Sequence, residues 1–192
     1  LYGDQAEIKK YLTDFSDDLT SRLHIRHSLE SITMADSISV ALRQKKQSSM
    51  RLALEAVKHK QADACVSAGN TGALMALGRM LLKTCDGIER PAIMSALPTA
   101  NGACYMLDLG ANVGVSAHQL YQFAQMAHVV VSTITEVQQP RIRLLNIGEE
   151  EVKGNDTIRE AHQLLKNTSL NYLGFIEGNG IFADQADIVV CD

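Results

Sequence analysis

The chain has 192 residues, 46% hydrophobic and only 5% aromatic, which supplies one sizeable aliphatic core and excludes disorder along the whole length. Its 18 basic and 22 acidic side chains leave a formal charge of −4, a balance that argues against non-specific nucleic-acid binding. No twenty-residue apolar run is present, and the cysteines (Cys65, Cys85, Cys104, Cys191) form no CxxC pair, which fits a reducing, cytoplasmic setting.

In chain order, the first residues read as the tail of a strand, and residues 4–13 as a short helix capped by Asp4, with Ile8, Tyr11 and Leu12 inward. His24 and His27 flank a short strand. Residues 28–47 are polar and weakly periodic, an excursion or a flap. Met50, Ala53, Leu54 and Val57 then recur at helical spacing, with Ser48 or Ser49 as cap. Residues 62–66 read as a buried strand, and Leu74, Leu77, Gly78 and Leu81 as the stripe of the next helix.

Residues 92–97 and 105–109 are strands joined by turn formers at 98–102, so a hairpin is expected. Ser116 and Gln119 fit a capping box before the stripe Leu120, Phe123, Ala124 and Ala127. Residues 142–147 form another strand. Thr157 and Glu160 suggest a second box before Ile158, Ala161 and Leu165. Residues 172–176 and 188–191 close the pattern as strands. Strand and helix in alternation predict a three-layer α/β fold with a mostly parallel sheet and some antiparallel strands, read as one segment over 1–192.

Three Gly/Asn loops, at 67–72, 108–114 and 148–155, each follow an aliphatic strand and precede a helix. In an open α/β sheet such loops meet outside the carboxyl ends of the strands. Helix starts there present unpaired amides that suit phosphate, and glycine lets the backbone approach closely. Ordinary tight turns have the same composition, and no GxGxxG or Walker pattern is present. Lys153, beside three consecutive carboxylates, could orient an anion or counter an oxyanion, or belong to a solvated acidic turn. Glu149, Glu150 and Asp108 could together hold Mg²⁺, though no spacing makes that specific, and no metal or other cofactor is assigned. His118 falls in the first helical turn after the second loop, either near a ligand or on a solvated face. The basic residues Arg43, Lys45 and Lys46 could meet an acidic partner or water.

At these same loops the sequence resembles bacterial phosphate acyltransferases. The likeness runs through Arg43 to Met50, Asp63 to Met75, Gly87 to Ala92, Leu107 to Val113, Leu144 to Asn155 and Ala186 to Asp192, in order. The resemblance implies a fold similar to phosphate acetyltransferases and isopropylmalate-type dehydrogenases, with further chain on both sides. It implies transfer of a long-chain acyl group from acyl carrier protein to inorganic phosphate, giving acyl phosphate for phospholipid synthesis. A homodimer in the cytoplasm, with peripheral membrane contact and a membrane glycerol-phosphate acyltransferase downstream, is implied as well. On that reading Gly69, Asn70, Thr71 and Gly110 bind phosphate, and Lys153, Asn112, Asp108 and His118 are the catalytic group. Glu149 and Asn155 orient the donors, and Arg43, Lys45 and Lys46 dock the carrier. A coenzyme A-dependent phosphate acetyltransferase, a related dehydrogenase and a non-enzymatic binder of phosphorylated ligands are the alternatives. The chain departs from the family pattern at Ala103, Gly114 and Gln185, where charged residues are usual, which puts one acidic and one basic group of the site in question.

Overall fold

A computed structural model describes residues 1–110, 112, 114–148 and 153–191. The single segment read from the sequence resolves into two compact units, Leu1–Cys85 and Asp86–Asp192.

In the first unit, β1 (Tyr2–Gly3) pairs in parallel with β2 (Arg26–His27). Asp4 caps α1 (Gln5–Leu12) as expected, accepting from the Ala6 and Glu7 amides. Tyr11 is 75% exposed, so the inward stripe fails there. A short helix not foreseen, α2 (Asp17–Ser21), follows, capped by Ser16. Residues 28–47, read as an excursion or a flap, contain a helix. They carry α3 (Ile38–Arg43), whose Ala41 is fully buried against Leu54, Leu77 and Leu81 of α4 (Ser49–Lys58) and α5 (Thr71–Leu82). Ser48 takes the cap position of α4, but its buried hydroxyl bonds to no described residue. Residues 62–66 form no strand, and Val66 is 98% exposed. An extended segment becomes a strand only when a neighbour accepts its ladder, and no described residue does so.

The second unit is built on a five-stranded sheet of order β3-β4-β7-β5-β6. The hairpin is confirmed: β3 (Met94–Thr99) runs antiparallel to β4 (Gly102–Leu107) through a two-residue connection. The other strands, β5 (Ile142–Leu145), β6 (Tyr172–Ile176) and β7 (Ile188–Val190), are parallel to β4. Side chains alternate across the strands. Leu107, Ile142, Leu144, Phe175, Ile188 and Val190 face α6 (Ala117–Thr135) and α7 (Asp156–Lys166), meeting Leu120, Phe123, Ala161 and Leu165. Each such fully buried side chain contributes about 1.5–3 kcal/mol. Cys104, Ile176 and Val189 point to the opposite face, against Ile181 of a 3₁₀ turn at Gly178–Phe182.

Ser116 and Gln119 form the expected capping box of α6. The second box does not form. Helix α7 starts earlier, and Asn155 is its cap, accepting from the Ile158 amide at 2.8 Å. At the amino-terminal edge of the sheet, Arg141 donates to Asp187 (Nη2 to Oδ1, 2.8 Å) and Asp184 (Nη2 to Oδ1, 3.1 Å). Burial alone would raise the Asp187 carboxyl, but the Arg141 bonds outweigh it and hold the carboxyl below its ordinary range.

Candidate functional site

Parallel strands deliver their following loops to one edge. In the second unit β4 leads into residues 108–114 and β5 into residues 146–155, with only β7 between these two strands. Two of the three loops picked out in the sequence therefore share a rim. The third, residues 67–72, belongs to the first unit.

Asp108 organises the first loop. It is 5% exposed, and Oδ1 accepts from the Ile93 amide at 2.9 Å while Oδ2 accepts from the Asn112 amide and side chain at 2.9 and 2.6 Å. Asn112 Nδ2 also donates to the Pro91 carbonyl at 3.0 Å. Asp108 thus orients Asn112, and both hydrogens of that side-chain amide are engaged within the unit. Gly110, with φ of +78°, leaves its own amide unbonded to any described residue. His118 stands exposed in the first turn of α6, its ring 5.7 Å from that of Tyr121.

The second loop is held by a residue to which the sequence alone gives no role. Asn146, 9% exposed at the end of β5, donates to the carbonyls of Gly148 at 3.0 Å and Lys153 at 3.2 Å. Its one signal in the sequence is a lone polar residue ending an aliphatic strand. Gly154 has φ of +86°, and a Cβ there would collide with Asn146 Oδ1, so only glycine permits this closure. Lys153 is exposed on a backbone fixed by Asn146 and forms no ion pair with a described residue. Glu149, expected to orient the donors, lies outside the described residues, as does Glu150 of the Mg²⁺ alternative. Among the described residues no group of three His, Cys, Asp or Glu side chains is placed to hold a metal.

In the first unit, Asn70 caps α5 through Oδ1, accepting from Ala73, while Nδ2 lies 3.1–3.4 Å from the carbonyls of Thr33, Met34 and Asp36. The Gly69 amide bonds to Ser67 Oγ at 3.2 Å. At Thr71 and Gly72 the backbone amides meet no described acceptor. Lys45 is turned inward, bonding the Ser31 carbonyl at 2.7 Å and Asp36 Oδ2 at 2.5 Å, and this bond chiefly holds the Asp36 carboxyl below its usual range. Arg43 and Lys46 are exposed.

Of the three departures from the family pattern, two lie away from this rim. Ala103 is the second residue of β4 and Gln185 precedes β7, so both sit toward the amino-terminal edge. Only Gly114, with φ of +65°, belongs to a loop of the site. Among the described residues no helix is long and apolar enough to cross a membrane.

Comparison with known proteins bears on the fold and on the family. Over its full length the chain resembles the EutD phosphotransacetylase of Staphylococcus aureus, with a TM-score of 0.57 at 15% identity, covering 99% of this chain and 68% of that one. A putative 4-hydroxythreonine-4-phosphate dehydrogenase from Salmonella typhimurium gives 0.54 at 14%, covering 99% and 70%. At such identities the likeness concerns the fold. In sequence, the phosphate acyltransferase of Nitrosococcus oceani is 53% identical across the whole chain, which covers 56% of that protein. The one from Alcanivorax borkumensis is 56% identical over 89% of the chain and 51% of its own length. The chain thus spans about half the length of these curated relatives. The model of one family, described as "Fatty acid synthesis protein", matches residues 1–192 without remainder, and the chain belongs to that family.

Proposed function

We propose that the full-length protein transfers a long-chain acyl group from acyl carrier protein to inorganic phosphate. The observation that carries this reading is the 53% identity to a phosphate acyltransferase over every residue of the chain. The rim of the second unit supports it: an open Gly110 amide, on a loop held by the Asp108–Asn112 bonds, and a lysine on a fixed backbone are parts that bind an anion and stabilise an oxyanion. The donors of Asn112 itself are engaged, and its role narrows to holding that loop.

In the proposed reaction a phosphate oxygen attacks the thioester carbonyl carbon. The C–O bond forms, the C–S bond breaks, and the proton carried by hydrogen phosphate ends on the departing thiol. Phosphate is itself a competent nucleophile near neutral pH, so positioning supplies much of the acceleration. Lys153 is assigned to the phosphate or the oxyanion, Asp108 and Asn155 to holding the loops in place, and His118 to moving the proton. Within the first unit, the phosphate-binding assignment of Gly69, Asn70 and Thr71 narrows to the backbone amides that begin α5, with Asn70 as cap.

The carrier protein is assigned to the exposed charges of Arg43 and Lys46, since Lys45 is engaged with Asp36. A homodimer is part of the proposal. Its support is α6, nineteen residues without an acidic side chain, lysine or arginine, whose Val129, Val130 and Ile134 remain exposed. Cytoplasmic location, peripheral membrane contact and delivery of product to a membrane glycerol-phosphate acyltransferase complete the reading. The test is to incubate the full-length protein with phosphate and either long-chain acyl carrier protein or acyl-coenzyme A, and to follow acyl phosphate by mass. Product from the carrier substrate supports the proposal. Product from coenzyme A alone, or phosphate binding without thioester consumption, refutes it.

A further inference from the structure

The second unit contains an arginine that the proposed reaction leaves unused. Arg90 is half-buried, yet it makes no hydrogen bond or ion pair with any described residue. Its two flanks are pinned. On one side the Glu89 amide donates to Gln122 Oε1 at 3.0 Å, while Gln122 Nε2 donates to the Gly87 carbonyl at 2.6 Å. Gln122 is itself only 2% exposed, so this clamp is part of the core. On the other side the Pro91 carbonyl accepts from Asn112 at 3.0 Å. The backbone of Arg90 is therefore fixed directly beside the loop that Asp108 organises.

The carboxylates of Glu89, the residue before Arg90, and of Asp108, which bonds the Ile93 amide, are both committed elsewhere. Glu89 Oε2 accepts from Gln119 Nε2 at 2.8 Å, and Asp108 accepts from Ile93 and twice from Asn112. Each is matched by neutral amide donors, and the guanidinium has no ion pair with a described carboxylate. A partly desolvated cation regains its lost hydration most fully from an anion, and the planar fork of arginine fits phosphate with two parallel bonds.

We infer that Arg90 binds the phosphate co-substrate, donating to two of its oxygens at the rim beside Asp108 and Asn112. The inference rests on the reaction proposed above for the identity of the anion, but phosphate binding is measurable without that reaction. The experiment uses the full-length protein, wild type, Arg90→Gln and Arg90→Lys. Rates are taken against phosphate at saturating acyl carrier substrate, and thermal midpoints with and without inorganic phosphate alone. Arg90→Gln raises the phosphate KM about tenfold or more, the scale of one charge-assisted bond, and leaves the carrier KM unchanged. It also abolishes the stabilisation that phosphate gives the wild type. Arg90→Lys keeps the charge without the fork and falls between. A folded Arg90→Gln protein with wild-type phosphate KM and wild-type stabilisation overturns the inference. So does a lower midpoint with unchanged phosphate saturation, which would make Arg90 structural. Should Arg90→Gln not fold, a wild-type phosphate KM in Arg90→Lys has the same force. If the wild type makes no acyl phosphate, the reaction fails, while the phosphate-only stabilisation still decides Arg90.

Discussion

Lys153 and its two neighbours show how one loop is built residue by residue. The ammonium group sits at the end of a flexible chain, but the backbone beneath it is fixed by Asn146, and Asn146 has room only because position 154 lacks a side chain. Lys153→Ala is expected to lower acyl phosphate formation by about two orders of magnitude, the scale for losing one transition-state donor, in a protein that melts normally. Rate and melting curve together check this. Gly154→Ala acts differently. A methyl group pushes Asn146 off both carbonyls and occupies a left-handed backbone, costing about 1–3 kcal/mol, so stability and turnover fall together in denaturation and rate assays. Cys104 shows a residue without chemistry: burial pushes its thiol up to about 11, and a neutral, fully buried sulfur is packing material.

At the scale of elements, caps and partners decide what forms. Asn155 is the clearest case for measurement. Asn155→Ala removes the acceptor for the Ile158 amide and is expected to cost about 0.5–2 kcal/mol in urea unfolding, whereas Asn155→Gly costs a few tenths. The Ser116–Gln119 box is legible in the sequence because both partners lie within four residues. Thr157 and Glu160 have the same spacing, but an asparagine two positions upstream claims the helix start. Residues 62–66 have the composition of a strand, and composition cannot show whether a neighbour will receive its hydrogen bonds. In residues 28–47, weak periodicity hides a helix, and the segment is tied by Lys45 to Asp36 within it and by Asn70, which lies well downstream. Asn146 and Arg90 stay hidden for other reasons. Asn146 acts on carbonyls of its own loop, which reach it only because the chain turns at Gly154, and Arg90 is marked by a pairing that it lacks, which no sequence pattern displays.

For the whole molecule, charge sets the acid limit. Asp4, Asp36 and Asp187 all have carboxyls held below the ordinary aspartate range, by backbone amides, by Lys45 and by Arg141 against the opposing effect of burial. A carboxyl lowered in the folded state contributes stability that is present above its unfolded value and lost as pH falls through the folded one. Urea midpoints of the full-length protein should therefore decline as pH drops below about 4. Asp187→Asn should flatten that decline while lowering the midpoint at neutral pH. A decline equally steep in the mutant would remove the Arg141 pair from the acid response.

The strand order carries one further consequence, for synthesis on the ribosome. Chain growth yields the hairpin Met94–Thr99 with Gly102–Leu107 early, and Ile142–Leu145 with Tyr172–Ile176 later, yet these two pairs are not hydrogen-bonded neighbours in the sheet. Ile188–Val190, the last of the described strands to emerge, bonds to both and joins them. Until it arrives, the nascent second unit is two half-sheets with open inner edges, a stretch in which chaperones have unpaired backbone to protect.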